Sequence, residues 1–309
     1  MGLVKVSPTA TLSLRTKSTK ISSILSRIFK GQLWTSSEQH AVFSEAECSS
    51  CDNPCDRHEQ LPEYLANKIE GGDMMNSFKP YSRHVLVKVG SGDRWNPSVD
   101  ETPNSIIERL VKTLPSPKGS RTMITAYCDV NGDVVDETSD CATVMVMPDG
   151  LVFPTLAQSQ LEEFATWFAS KGPIPQGLLA NAPQHSTHIF VCTHRKRDKR
   201  CGVIGPMLMD EFQRQLKDRD LLDKVAINGV SHIGGTRLNV GHKFAGNLII
   251  YHTSQDGTRV ADWYGRVKTC HVGPIVEETV LKGKVFKSLW RGRMDAGMGA
   301  ATKATDPGW

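Results

Sequence analysis

Apolar positions recur along this chain with two periods, and the switches between them mark out its elements. The run Tyr81-Ser-Arg-His-Val-Leu-Val-Lys-Val-Gly90 alternates and is rich in β-branched residues, which predicts a strand. Ile106, Ile107, Leu110 and Val111 return at helical spacing, so Pro103 to Leu114 is predicted as a helix with Pro103 in its first turn. Ile124 to Val130, Ala142 to Pro148 and Leu151 to Pro154 have the character of strands, the last two joined at Asp149-Gly150. Leu156 to Ser170 is a second predicted helix. Lys171-Gly-Pro-Ile-Pro-Gln-Gly177 then interrupts the periodicity as a linker.

After the linker the order starts again. Ser82-Arg-His84-Val-Leu-Val-Lys88 aligns with Ser186-Thr-His188-Ile-Phe-Val-Cys192, and Met145 to Gly150 falls where Ile250 to Gly257 does. This weak internal repeat predicts two related α/β halves. In the second half, Ile189 to Val191 is a buried strand and Pro206 to Leu216 a helix. Lys224 to Val230, Leu248 to Tyr251 and Val260 to Val267 are strands, and Pro274 to Leu289 closes as a helix. Met207, Met209, Phe212 and Leu216 sit on overlapping turns as core filler. Strand, helix, strand, hairpin and terminal helix is a thioredoxin-like order with its loops gathered at one end of the sheet. The expected division is a degenerate thioredoxin-like domain at 81–175, a second at 184–293, and a flexible Gly/Ala-rich tail at 294–309.

Composition narrows the class. At 309 residues, with 39% hydrophobic and 23% charged residues, this is the profile of a globular protein of about two domains. No run of eighteen apolar residues is present, so no membrane-spanning helix is expected. A net charge of +4, dispersed along the chain, gives no argument for nucleic acid. Residues 1–37 contain no Asp or Glu but six Lys or Arg among many Ser and Thr, with Ile21, Leu25, Ile28 and Phe29 able to share one helical face. That is the character of a mitochondrial presequence. Residues 38–80 turn polar and acidic, a flexible segment carrying Cys48, Cys51 and Cys55, of which Cys51 and Cys55 are a candidate redox pair. Cys128 and Cys141 either bridge strands of the first half or fill space as small apolar groups.

The candidate chemistry is concentrated between His188 and Asn247. An apolar strand delivers Cys192 into a loop, Cys201-Gly202 follows, and His232-Ile-Gly234-Gly235 and His242-Lys-Phe-Ala-Gly-Asn247 come after one helix length. Two thiols and two imidazoles suit tetrahedral zinc or a [2Fe-2S] cluster with histidine on one iron. Cys192 and Cys201 have eight residues between them, wider than the tight pairs usual in zinc fingers, and glycines let backbone amides approach bridging sulfides. Arg195, Lys196, Arg197, Lys199 and Arg200 lie between the thiols and are expected to favour thiolates. No P-loop, dinucleotide fingerprint or Ser/His/Asp arrangement stands out, so a non-catalytic redox protein is the expected class.

Cys192-x8-Cys201-Gly202, His232-Ile-Gly-Gly, His242-Lys-Phe-Ala-Gly-Asn247 and Trp263-Tyr264-Gly265-Arg266-Val267 together resemble the thioredoxin-like ferredoxins of fungi, also described as sucrase/ferredoxin-like proteins. The resemblance covers roughly residues 48 to 290. It implies a [2Fe-2S] cluster held by Cys192, Cys201, His232 and His242, with Gly202, Gly234, Gly235 and Trp263 around it and redox protein partners in mitochondria. The family pattern is His-x3-His, whereas Thr236 to Gly241 here makes it His-x9-His. The alternatives are a thioredoxin-like thiol-disulfide oxidoreductase or a zinc-binding interaction protein.

Overall fold

The computed structural model describes residues 41–46, 59, 61–69, 71–115, 121–130, 135–170, 172–231, 233, 244–253 and 258–295. The expected presequence at 1–37 and Cys48, Cys51 and Cys55 lie outside them. In chain order the elements are β1 Val42–Phe43, α1 Glu63–Ala66, β2 Arg83–Lys88, α2 Ile106–Thr113, β3 Thr122–Asp129, β4 Cys141–Met147, β5 Leu151–Ala157 and α3 Leu161–Ser170. They continue with β6 Thr187–Cys192, α4 Cys201–Lys217, β7 Val225–Val230, β8 Leu248–Thr253, β9 Arg259–Tyr264, α5 Thr269–Ile275, β10 Lys284–Val285 and β11 Trp290–Asp295. The fold is mixed α/β. Among the described residues no helix is long and apolar enough to cross a membrane.

Nine strands form one sheet in the order β11-β9-β8-β6-β7-β3-β2-β4-β5. Reading outward from its middle, β3-β2-β4-β5 and β7-β6-β8-β9 repeat one pattern: a parallel pair, then two antiparallel neighbours. The repeats meet where β3 and β7 pair antiparallel, Tyr127 opposite Val230, Cys128 opposite Gly229 and Asp129 opposite Asn228. Ser231 locks this short junction, donating its N–H to the Ala126 carbonyl at 2.8 Å and accepting the Ala126 N–H on Oγ at 2.9 Å. Segments 81–175 and 184–293 thus contribute to a continuous sheet.

Alternation on the strands builds two cores. Val85 and Val87 of β2, with Val144, Val146 and Phe153, face α2 and α3 through Ile106, Leu110, Phe164 and Trp167. Leu86, Tyr127 and Met145 point the other way and join Phe190, Tyr251 and the residues under α4 and α5. Met207, Met209, Phe212 and Leu216 of α4 lie buried there, as their spacing predicted.

Several boundaries differ from the sequence expectation. Pro103 is not in the first turn of α2: Ser105 caps it, its Oγ accepting the Glu108 N–H at 3.1 Å, while Glu108 accepts the Asn104 N–H at 2.9 Å. The helix expected to reach Leu289 stops earlier. α5 passes into a π-helical turn, Val276–Leu281, and Gly283 (φ 68°) turns the chain into β10 and then β11, an edge strand on β9. Val285, Phe286 and Leu289 are buried as expected of apolar residues, but outside a helix. The segment expected to be flexible at 38–80 is in its described parts docked, with β1 paired to β10, and Leu61, Ile69 and Phe78 on the core. Cys128 and Cys141 do not bridge: their strands flank β2 and both are free thiols, with burial pushing Cys128 up to about 11.

Two buried polar groupings tie the strands together. Asp262 of β9 accepts from His252 Nε2 (2.8 Å), Trp290 Nε1 (2.9 Å) and Arg293 Nε and Nη2 (2.9 and 2.8 Å), which holds its carboxyl below the usual range against the opposing effect of burial. His84 contacts Tyr251 Oη through Nδ1 (3.0 Å) and Thr125 Oγ1 through Nε2 (2.7 Å), and Tyr251 and Tyr81 share a hydroxyl contact of 2.8 Å. His188, its counterpart on β6, donates from Nε2 to the His185 carbonyl (3.1 Å) and stacks on Phe190.

Burial lowers His188 and His271 to about 4, below the ~6.5 expected of an unfolded histidine. A histidine held neutral in the fold stabilises it fully above pH ~6.5, and that stability is lost as pH falls toward ~4, by up to about 3 kcal/mol per residue. Urea midpoints should therefore drop between pH 7.5 and 5, and His188→Gln and His271→Gln should each flatten the dependence. A slope unchanged in both variants contradicts this assignment.

Candidate functional site

Cys192 is the last residue of β6 and Cys201 the first of α4, so the strand, its loop and the helix start bring the two thiols face to face. Both are buried, and they are in hydrogen-bond contact. The helix begins five residues before the predicted Pro206, which places Cys201 at its N-terminal end. Gly205 makes the approach possible: a Cβ there would collide with the Cys192 carbonyl and with Thr193.

The pair shares its protons unequally. The Cys201 thiol lowers Cys192, opposed by burial and helped by the backbone N–H groups of His194 and Ile233. Contact with Cys192 and burial hold Cys201 well above an ordinary thiol. The first proton therefore leaves Cys192, whose sulfur accepts from those backbone N–H groups.

The intervening basic residues do not act as expected. Only the Arg200 guanidinium favours ionisation of Cys201, and it is outweighed; it pairs with Asp198 (2.7 Å) and donates to the Lys68 carbonyl (2.5 Å). Lys196 and Arg197 reach across to the carbonyls of Arg94 and Pro97 at 2.8 and 3.2 Å. Arg195, Lys196, Lys199 and Arg200 line a cleft of about 620 Å³ with Lys68, Tyr64 and Val203. Long charged side chains here seek water and carbonyls instead of the dry thiol pocket.

The buried positive charge comes from a residue that the sequence reading missed. Arg291 is completely buried, donating from Nη1 to Asn247 Oδ1 (2.7 Å), from Nε to Ser77 Oγ (3.0 Å) and from Nη2 to the Ser77 carbonyl (2.8 Å). Its guanidinium lies over the rings of Phe244 (5.5 Å) and Trp263 (5.6 Å). Among the described residues it has no carboxylate partner. Burial brings it down to about 10, against the opposing effect of Cys192 and Cys201. Asn247 links the two, since its carbonyl accepts the Cys192 N–H at 3.0 Å. Arg291 is the extra residue of a β-bulge, between Trp290 opposite Tyr264 and Gly292 opposite Trp263. The bulge re-aims one arginine of a strand that lies beyond the helix expected to end at Leu289.

Of the four expected ligands, the structure brings Cys192 and Cys201 together. His232 and His242 lie outside the described residues, as do Gly234, Gly235 and Thr236 to Gly241. Their chain neighbours are at the site: Ile233 donates its N–H toward Cys192, and Phe244 lies under Arg291. Among the described residues no three His, Cys, Asp or Glu side chains form a metal-holding group. Trp263 lies against Arg291, stacks on Phe78 (4.9 Å) and donates to Tyr81 Oη at 3.2 Å. Gly202 serves packing, since Arg195 fills the space a Cβ would need. His271 accepts the Lys268 N–H on Nδ1 at 3.1 Å, capping the start of α5.

The first half forms the outer wall. His194 donates from Nε2 to the Asn96 carbonyl (2.8 Å) with its ring edge-on to Trp95, and the Arg195 N–H reaches the Gly92 carbonyl (2.9 Å). Lys88, standing where Cys192 stands in the repeat, is instead ion-paired with Asp129.

A family model described as "Sucrase/ferredoxin-like" matches residues 74–292. A protein of Debaryomyces hansenii named "Altered inheritance of mitochondria protein 32" is 46% identical over 106 residues, 34% of this chain and 35% of that one. A protein of the same name from Clavispora lusitaniae is 31% identical over 231 residues, 68% of this chain and 80% of the relative. The match thus spans about a third of the first relative and four fifths of the second. Among solved structures, a thioredoxin-like [2Fe-2S] ferredoxin from Aquifex aeolicus aligns over 34% of this chain and 90% of its own, at 20% identity and a TM-score of 0.26.

At Gly92 a Cβ would collide with the Thr193 side chain and carbonyl, so the wall is in contact with the cysteine loop. Gly92→Val should cost about 1–3 kcal/mol in denaturant unfolding and speed alkylation of the Cys192 and Cys201 thiols. Lys196→Ala removes only an exposed reach to a carbonyl and should stay within about 0.5 kcal/mol. Equal alkylation rates in Gly92→Val and the unaltered protein would show that this wall does not restrain the loop.

Proposed function

The chain belongs to the sucrase/ferredoxin-like family, and on that premise we propose that it is a mitochondrial [2Fe-2S] protein that carries or senses single electrons. Cys192 and Cys201 would hold the cluster with His232 and His242, leaving catalysis to partner proteins. The observation that carries the reading is the buried, unbridged thiol pair, facing inward with backbone N–H groups directed at its more acidic member. A dry site of this kind suits thiolate ligation, and Arg291 supplies the positive charge that two buried sulfur anions require. When bound, a cluster supplies reversible one-electron reduction. The chain's own residues bind it, keep water out through Phe244, Trp263 and Ile233, and fix the sulfurs on a strand end and a helix start. The names of the relatives and the acid-free, basic segment 1–37 both favour mitochondria.

Because the thiols touch, dithiol–disulfide cycling is the second reading: two electrons and two protons would leave for an electron-accepting partner as the sulfurs join. The two readings separate experimentally. Protein purified anaerobically should contain iron and acid-labile sulfide matching one cluster and absorb visible light. Cys192→Ser and Cys201→Ser should lose that colour, whereas Cys51→Ser and Cys55→Ser should keep it. Colourless protein with stoichiometric zinc, or with neither metal nor sulfide but a readily formed Cys192–Cys201 disulfide, overturns the cluster reading.

A further inference from the structure

Arg291 and Arg293 stand two residues apart on one edge strand, both buried, yet their surroundings differ. Arg293 has a carboxylate, donating from Nε and Nη2 to Asp262. Arg291 has three neutral acceptors and two aromatic faces, and among the described residues no carboxylate. A buried, uncompensated guanidinium costs several kcal/mol, more than neutral hydrogen bonds of about 1 kcal/mol each return. The bulge takes Arg291 out of the ladder, and its guanidinium is held by Asn247, the residue whose carbonyl accepts the Cys192 N–H.

Resting on the [2Fe-2S] reading above, we infer that Arg291 is a positioning residue that sets the reduction potential, its fixed positive charge balancing the electron that the site takes up. Two thiolates and two neutral imidazoles around two ferric ions and two sulfides make a formally neutral unit. Accepting one electron from a donor protein adds one negative charge, with no bond made or broken. In water-excluded surroundings that charge is felt strongly by a cation held by Asn247 and Ser77. Arg291 therefore stabilises the reduced state over the oxidised one. Asn247 transmits position: its side chain holds the guanidinium while its carbonyl holds the Cys192 N–H.

The test is the midpoint potential of the loaded protein in three variants, with iron and sulfide content measured on the same samples. Arg291→Met should lower the one-electron reduction equilibrium at least tenfold, about 59 mV. Arg291→Lys, which keeps the charge, should restore most of the difference. Asn247→Asp keeps the acceptor on Nη1 but sets a carboxylate against the guanidinium, so it should lower the potential without removing the arginine; it decides the matter if Arg291→Met does not fold. Loaded variants with the potential of the unaltered protein overturn the role of Arg291 and leave the cluster reading standing. Absence of iron and sulfide from the unaltered protein overturns the cluster reading itself.

Discussion

Everything at the thiol site depends on the antiparallel meeting of β3 with β7. The ladder there is only three residue pairs long, and at about 1 kcal/mol net per hydrogen bond it is a weak joint by itself. Its strength comes from the apolar groups stacked across it. Leu86 and Tyr127 from one side and Phe190 and Val230 from the other are buried in a common core, at about 1.5–3 kcal/mol for each large side chain. The hydrogen bonds set the register and the packing supplies the stability. Ser231 belongs to both, closing the ladder onto Ala126 two residues before Ile233.

That register fixes what can surround the sulfurs. Cys192 emerges where β6, β7 and β8 are all paired, so its backbone cannot shift without breaking sheet contacts. Cys201 is held by a 17-residue helix pressed onto the same strand end at Gly205. Two rigid elements, and not the charged loop between them, determine the distance between the thiols. The exposed cations of that loop are screened by solvent, while Arg291, enclosed by Phe244 and Trp263, acts at low dielectric.

The parts legible in the sequence were those written in local periodicity. Alternation marked out β2 and apolar runs β3, β4 and β6, and the likeness of Ser82–Lys88 to Ser186–Cys192 anticipated the repeated strand order. A cysteine at the end of a wholly apolar strand was readable as a buried thiol. Less readable was the start of α4, because Gly202, Gly205 and Pro206 carry the character of helix breakers. Gly205 is there for close approach, a tertiary requirement that outweighs propensity. Arg291 was not readable at all. Its contacts, Ser77 and Asn247, lie 214 and 44 residues away, and its direction comes from a bulge whose position depends on pairing with β9. The final helix was extended too far for a related reason: Val285, Phe286 and Leu289 are apolar because they are buried, and burial alone does not choose between helix and strand.

The two repeats cannot both carry a site, and the topology explains why. Joining them edge to edge at β3 and β7 turns their equivalent loops, Val89 to Pro97 after β2 and Thr193 to Arg200 after β6, toward each other. The contacts of His194 with Asn96 and of Arg195 with Gly92 are the result. A dry thiol pocket in one loop needs a solid wall, and the facing loop is the group of atoms placed to provide it. Trp95, fully buried and anchored by Nε1 to the Val89 carbonyl at 2.7 Å, fills that part, while Gly92 brings backbone directly against Thr193. A second pair of thiols in the first loop would need the volume that Trp95 occupies. Lys88 beside Asp129 at the end of β2 is a partly exposed ion pair of the kind that a sheet end beside water tolerates and a ligand site does not. The asymmetry of the chain, one half bearing Cys192 and Cys201 at its loop and the other bearing bulk, follows from a shared edge with room for one pocket.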